Sequence, residues 1–297
     1  PWRFYEEVAA RDDVGIAIPF AVSDTTEEGS FPIVATTKEF FKVPYAYGKH
    51  FAIPKDQFFL RGPWDAVIGS EVARKNHWGV GSKFRIRHSG TDDHVHTEEF
   101  TVQGVLAPTG TANDRTAFID INGFFLIGDH DEPLQEAIER EMKYFGETEA
   151  EVRDRYREDI ARMEAEAAEH AGGGHDHAHH HHHAPSNLKK GVSAILIVTR
   201  GNPDRPKMHD IARSTQARAM VGEFREHGAA RAVQPFQVMY EIRDKLIGNI
   251  NLAMLVMTTL IIVVSGVGIF VSIYNSMTDR RREIAILRAL GAQRTSV

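Results

Sequence analysis

The stretch HDHAHHHHHA, from His175 to Ala184 and hereafter the histidine run, has histidine at seven of its ten positions. Neutral imidazole binds zinc, copper and nickel well, and four ligands usually complete a structural zinc site. Three glycines precede the stretch, so we expect a loop that binds metal with low selectivity. The alternatives are a polar spacer and a pH sensor that titrates at about pH 6. The candidate ligands are His170, His175, Asp176, His177, His179, His180, His181, His182 and His183.

A second candidate metal site lies in the stretch GTDDHVHTEEF, which begins at Gly90. His94 and His96 are two residues apart, so on a strand both imidazoles would face the same side. Asp92, Asp93, Glu98 and Glu99 surround them. A polar hairpin tip that binds nothing would have a similar sequence. No pairing of a nucleophile with a base is evident, and we predict no catalytic residues.

Composition narrows the classes of partner. The chain has 297 residues, a net charge of −6 and no cysteine. Its basic residues do not gather into a patch, which argues against nucleic acid as a partner. Without cysteine, neither a disulfide framework nor a thiolate metal site can form. The length accommodates one or two domains with a substantial core.

One long stretch, from Leu246 to Thr278, contains no charged side chain. Its core, from Leu252 to Tyr274, is long and apolar enough to cross a hydrocarbon layer of about 30 Å as a helix. Three consecutive arginines begin at Arg280, immediately after this stretch. The positive-inside rule therefore places residues 279–297 in the cytoplasm and residues 1–244 outside it, which indicates a cytoplasmic (inner) membrane protein.

The residues before the apolar stretch predict an α+β domain that is rich in strands. Residues 1–130 form its first part. We expect strands between Pro1 and Thr37, a short helix over Ser70–Asn76, a strand through Phe84 and Ile86, and two strands between Glu98 and Ile121. Residues 187–237 form its second part, with a buried strand ending at Thr199 and a helix over Asp210–Phe224.

Highly charged residues interrupt this domain between 131 and 186. A first helix is predicted around Pro133, and a second over Glu147–Ala171. The second has only a narrow apolar stripe, formed by Val152, Tyr156, Ile160, Met163 and Ala167. A narrow stripe is typical of a protruding helical hairpin. After the domain, residues 238–275 predict a stalk helix that continues through the membrane, and residues 276–297 a cytoplasmic segment.

The cytoplasmic segment carries the most specific motif. It reads RRREIAILRALGA from Arg280 to Ala292, and Gly291 would end a short amphipathic helix there. This segment resembles the arginine-rich cytoplasmic loop of MacB/FtsX-type ABC-transporter permeases. The stretches IGSEVARKNHWGVGSKFRI, FTVQGVLAPTGTANDRTAFIDI and VSAILIVT are similar to the extracytoplasmic domain of the same permeases. Residues 131–186 have no counterpart in that resemblance.

The resemblance implies a permease subunit that is not itself an enzyme. The chain has no G-x-x-x-x-G-K-[ST] loop, so ATP would be hydrolysed by an ABC-type ATPase partner. A second permease subunit of like or unlike sequence, the lipid bilayer and a periplasmic protein are the other implied partners. We expect one membrane helix before Pro1 and two after Val297. The predicted contacts with the ATPase are Arg282, Glu283, Ile284, Leu287, Arg288, Leu290 and Gly291.

Three functions remain open at this stage. The permease could handle a transition metal, with zinc at the histidine-rich loop as its bound ion. It could instead export lipoprotein, lipid or a hydrophobic compound, with an incidental histidine run. As a third alternative, it could transmit mechanical force to a periplasmic enzyme. The histidine insertion favours metal handling.

Overall fold

A computed structural model describes residues 1–46, 48–88, 94–127, 132–171, 185–201, 209–227 and 230–291. The chain divides into two units, Pro1–Ala232 and Val233–Val297. The first unit is an α+β domain, and the second is dominated by one long helix. This combination confirms the fold class that the sequence predicts.

A mixed sheet of eight strands lies at the centre of the first unit, within the described ranges. Seven of the strands are ordered β4-β6-β3-β7-β2-β1-β5, and β8 pairs with β1. The pairs β2–β7 and β3–β6 are parallel, and the other pairs are antiparallel. The strands are β1 (Val14–Thr26), β2 (Pro32–Thr36), β3 (Asp65–Ile68), β4 (Lys83–Phe84), β5 (Ile86–Arg87), β6 (Phe100–Val105), β7 (Ala117–Asp120) and β8 (Ala194–Thr199).

Both faces of this sheet are covered. Successive strand residues point to opposite faces, so Ala66 and Ile68 join one apolar cluster while Val67 joins the other. The helices α2 (Ser70–Asn76) and α3 (Ile121–Leu126) cover the first face. The second face packs against loop aromatics and a 3-10 helix at Lys38–Lys42, and a further 3-10 helix lies at Ala112–Arg115.

Two details differ from the sequence prediction. The chain begins with a helix, α1 (Trp2–Ala9), where strands were expected. Its apolar residues recur at helical spacing, and Val8 is buried against Val14 and Met220. The strand β8 is mostly half-buried rather than buried, since among the described residues it pairs only with β1.

The charged region forms three helices rather than two. They are α4 (Leu134–Phe145), α5 (Glu149–Arg155) and α6 (Arg157–Ala171). A capping box starts α5, in which Thr148 Oγ1 accepts from the Glu151 amide and the Glu151 carboxylate accepts from the Thr148 amide. Val152 and Ile160 of the apolar stripe are buried and Tyr156 and Met163 are half-buried, in a separate small core with Ala137, Ile138 and Leu188.

The last two helices are α7 (His209–His227) and α8 (Pro235–Ala289). Pro235 occupies the first turn of α8, where its missing N–H costs nothing. The segment Ile250–Ala289 is long and apolar enough to cross a membrane, and no other helix of the described residues meets this test. Its apolar side chains between Leu252 and Tyr274 are all exposed, as expected for a surface that faces lipid.

Candidate metal centre

The candidate site lies where the strands β1 and β5 run beside a short third segment around Val95. In the antiparallel pair of β1 and β5, Thr25 lies opposite Arg87. The next opposing pair in this register is Asp24 and His88. On the other side of β5, Arg87 forms an antiparallel bridge with Val95. The His88 amide donates to the His94 carbonyl at 3.0 Å, which fixes the third segment in register.

This register brings three imidazoles together. Residues that face each other in an antiparallel pair point to the same side, so His88 and His94 are neighbours. His96 is two residues further on, and its side chain returns to that side. The ring centroids are 4.8 Å apart for His88–His94 and His94–His96, and 5.0 Å apart for His88–His96. One potential ligand nitrogen from each ring lies within 4.8 Å of the other two.

A buried carboxylate supports the first imidazole. Oδ1 of Asp24 lies 2.7 Å from Nδ1 of His88, and the Asp24 side chain is only 1% exposed. A carboxylate accepts hydrogen bonds, so Nδ1 of His88 is the donor in this contact. Carboxylates commonly hold metal-binding histidines in this way.

Burial also favours the form of histidine that binds metal. His96 is buried, and this burial lowers its pKa below the ordinary range. The charges of protonated His88 and His94 lower the pKa of His96 further, while Glu98 and Asp24 act in the opposite direction. A lowered pKa keeps the imidazole neutral, and only the neutral ring can ligate a cation.

The three imidazoles fit a transition-metal ion. Nitrogen ligands suit zinc, copper and nickel, whereas calcium and magnesium take oxygen ligands. In a tetrahedral zinc site with Zn–N bonds of about 2.1 Å, the ligand nitrogens are about 3.4 Å apart. The ligand nitrogens, which lie within 4.8 Å of one another, would have to approach by at most about 1.4 Å to reach that spacing.

The structure brings together His94 and His96, as their spacing predicts, and adds His88. Sequence reasoning missed His88, although the turn residue Gly90 between His88 and His94 suggests a hairpin that would pair them. His170 lies in α6, and its side chain lies outside the described part of the chain. The remaining ligands predicted in the histidine run also lie outside the described residues, namely His175, Asp176, His177, His179, His180, His181, His182 and His183.

The predicted ATPase contacts lie at the end of α8. The helix ends at Ala289 and Gly291 has a φ of 93°, which confirms the helix end predicted there. Ile284, Leu287 and Arg288 share one face by their three- and four-residue spacing. Ile284 is half-buried and the other predicted contacts are exposed, namely Arg282, Glu283, Leu287, Arg288, Leu290 and Gly291.

The chain thus combines a mixed-sheet domain with a long apolar helix that is a candidate membrane span and has an arginine-rich end. Residues 3–168 match the MacB-like periplasmic core domain, and residues 255–297 match the FtsX-like permease C-terminal region. The first match covers more than half of the chain, which therefore belongs to the MacB-like periplasmic core domain family. This membership confirms the MacB/FtsX resemblance of the sequence.

Two solved structures are similar to part of the chain. One is the extracellular domain of the noncanonic ABC-type transporter YknZ from Gram-positive bacteria, at 14% identity and a TM-score of 0.29 over 40% of this chain. The other is the periplasmic region of MacB from Actinobacillus actinomycetemcomitans, at 11% identity and a TM-score of 0.30 over 41% of this chain. The chain spans 62% and 55% of the lengths of these two structures. No curated protein matches the chain.

Proposed function

We propose that this chain is a permease subunit that couples ATP hydrolysis by a partner ABC-type ATPase to movement of its extracytoplasmic domain. The observation that carries this proposal is the continuity of α8. Its 55 residues form one uninterrupted helix that contains both the candidate membrane span and the family's arginine-rich segment. At 1.5 Å per residue, the helix is about 80 Å long, far more than the membrane thickness of about 30 Å. A push at one end is therefore carried along the helix to the other side of the membrane.

The topology of the subunit follows from its charges. Arg280, Arg281 and Arg282 follow the uncharged stretch that ends at Thr278, which favours residues 279–297 in the cytoplasm and residues 1–244 outside it. The subunit itself carries out no catalysis in this proposal, and the family pattern implies no bound cofactor apart from zinc or another transition metal at the histidine-rich loop. A second permease subunit in the bilayer and a periplasmic protein would complete the complex.

The proposed contact with the ATPase is the face of α8 that carries Ile284, Leu287 and Arg288. Exposed apolar side chains beside a charged one are typical of a docking surface. Leu287 is 47% exposed on this face, and Ile286 is 54% exposed on the opposite face of the same helix turn. The two positions form a matched comparison, because both carry exposed aliphatic side chains that differ mainly in the side of the helix to which they point.

Site-specific crosslinking in cells tests the proposal. A photo-crosslinking amino acid would replace either Leu287 or Ile286 in the full-length protein, and mass spectrometry would identify the crosslinked protein. We expect position 287 to capture a protein with the phosphate loop of an ABC-type ATPase, and position 286 to capture much less of it. Absence of such an ATPase at position 287, or equal capture at both positions, contradicts the proposed docking face.

For the handled substrate, we propose a transition metal, with zinc the first candidate. The cluster of His88, His94 and His96 in the extracytoplasmic domain supports this proposal, and the histidine run adds to it. The competing functions are export of lipoprotein, lipid or a hydrophobic compound, and mechanical regulation of a periplasmic enzyme. Neither of these functions requires clustered imidazoles outside the cytoplasm.

Growth of a deletion strain distinguishes these functions. If the complex handles metal, deletion of the gene for this chain changes growth in excess zinc or under zinc chelation. A plasmid copy of the gene with His94→Ala then fails to restore normal growth. If it exports lipoprotein or lipid, the deletion strain shows envelope defects at every zinc concentration, and the His94→Ala copy restores growth fully. The second pattern would overturn the proposed role in metal handling.

A further inference from the structure

We infer that His88, His94 and His96 form a binding site for one zinc-class divalent cation, and that Asp24 is the positioning residue for His88. The inference goes beyond the transport proposal, since the site is defined by the first unit alone. It holds whether the ion is cargo, a signal or a structural component. The site is also distinct from the histidine run, although the run contains the larger number of potential ligands.

The three histidines are preorganised by the sheet. Each of the three histidines is held on a backbone segment whose register is fixed by hydrogen bonds. The His88 amide donates to the His94 carbonyl, and the His96 amide donates to the Ile86 carbonyl, both at 3.0 Å. Ile86 itself is fully buried in the core of the sheet. A site on paired strands loses less conformational entropy on binding than ligands in a glycine-flanked loop would lose.

The buried carboxylate of Asp24 orients one of the imidazoles. Asp24 is a charged residue in a nearly fully buried position, which is unfavourable without a well-oriented partner. Its contact with Nδ1 of His88 meets that need and also fixes the imidazole. Loss of such an orienting partner typically weakens metal binding by 10- to 100-fold.

The ligand atoms of the cluster suit a metal ion. Each of the three rings offers one nitrogen, and these atoms all lie within 4.8 Å of one another. Nitrogen ligands that share one small space suit a transition-metal ion.

The test uses the full-length protein in detergent with the histidines of the run replaced. In this background, His175, His177 and His179–His183 are changed to asparagine, which removes the competing ligands. Zinc is titrated by calorimetry in the presence of a competing chelator. We expect one zinc ion per chain, with an affinity that falls at least 100-fold in His94→Ala. The control is His50→Ala, which alters an exposed histidine outside the cluster and should leave binding unchanged.

Two results would contradict the proposed zinc site. One is the absence of stoichiometric zinc binding in the background chain, which needs no variant of the cluster and so does not depend on its folding. The other is unchanged zinc affinity in His94→Ala. Circular dichroism and thermal melting of the metal-free variants show whether each is folded, and His96→Gln provides a second variant at the cluster. Crosslinking at Leu287 that persists while zinc binding fails would leave the coupling proposal intact.

The role of Asp24 has its own measurement. In the same background, Asp24→Asn should weaken zinc binding by 10- to 100-fold, because the amide can donate to Nδ1 and favour the other tautomer of His88. Bound cobalt should also show a changed visible absorption spectrum, which a general loss of stability would not produce. Unchanged affinity together with an unchanged cobalt spectrum would overturn the assignment of Asp24.

Discussion

The carboxylate of Asp24 and the imidazole of His88 face each other across the antiparallel pair of β1 and β5, with 2.7 Å between Oδ1 and Nδ1. The two residues are 64 positions apart in the chain. Their contact is a direct result of strand register, since Thr25 lies opposite Arg87. The long strand β1 thus contributes both to the sheet and to the proposed metal site.

Zinc should stabilise the folded domain. A bound ion ties together β1, β5 and the segment that contains His94, all of which separate on unfolding. At a free concentration of 100 times the Kd, one ion adds about 2.7 kcal/mol to the free energy of unfolding. We expect a Tm increase of several degrees in the protein without the histidine run. An equal increase in His94→Ala would place the stabilising ion elsewhere.

The stability of the metal-free domain should depend on pH through His96. Burial lowers the pKa of His96 in the folded state below its unfolded value of about 6.5. The unfolded state therefore binds more protons as the pH falls below that value, and the free energy of unfolding decreases. The change ends once the pH is below the folded pKa.

Urea unfolding at a series of pH values between about 7.5 and 5 measures this effect. The charged neighbours of His96 act in both directions, since His88 and His94 lower its pKa and Glu98 and Asp24 raise it. The variant His96→Gln cannot titrate and should show a smaller decrease in stability at acid pH. An unchanged pH dependence in this variant would show that other groups cause it.

Close packing at Gly123 predicts a large effect of a small substitution. A Cβ atom on Gly123, in α3, would collide with the carbonyl oxygen of Pro63. The backbone has to move, so we expect Gly123→Ala to destabilise the domain by about 1–3 kcal/mol or more. Gly79→Ala is the control, because a Cβ there meets no atom within 4 Å. Equal urea midpoints for the two variants would contradict this packing.

Reversal of one charge should uncouple the complex. Arg288 lies on the proposed docking face, and Arg288→Glu places a negative charge where the ATPase surface should be acidic. We expect the variant to insert into the membrane but to lose most of the ATPase activity of the complex. The control Arg281→Glu makes the same charge change two helical turns nearer the membrane. Full ATPase activity in Arg288→Glu would remove this residue from the contact.

The proposed topology can be measured with single cysteines, since the sequence contains none. Lys55→Cys lies on an exposed loop of the first unit, and Asp279→Cys follows the span. A maleimide that cannot cross membranes should label intact spheroplasts at position 55 only. Labelling at position 279 should require permeabilised cells. The reverse pattern would invert the orientation that the arginines predict.

Local signals in the sequence were sufficient for several elements of the fold. The helix over Ser70–Asn76 has the predicted bounds, because Gly69 precedes it and His77 ends it in a left-handed conformation. The long apolar helix and its end before Gly291 follow from hydropathy and from a glycine stop. The break between α5 and α6 was missed, since a continuous helical pattern conceals a single non-helical residue, Tyr156.

The candidate site was only half predictable. The spacing of His94 and His96 predicts two imidazoles on one side of a strand, and this depends on a local period of two residues. His88 and Asp24 join them only through the pairing of β5 with Val95 on one side and with β1 on the other. Strand register of that kind is set by the packing of the whole sheet, and one sequence does not reveal it.

The most direct test of the metal centre is X-ray absorption at the zinc edge, on full-length protein without the histidine run, after dialysis with one equivalent of zinc. We predict that the first coordination shell of the zinc ion contains three imidazole nitrogens at about 2.0–2.1 Å, and that imidazole scattering is lost in His94→Ala. Zinc removed by dialysis, or a first shell of oxygen without imidazole, would contradict it.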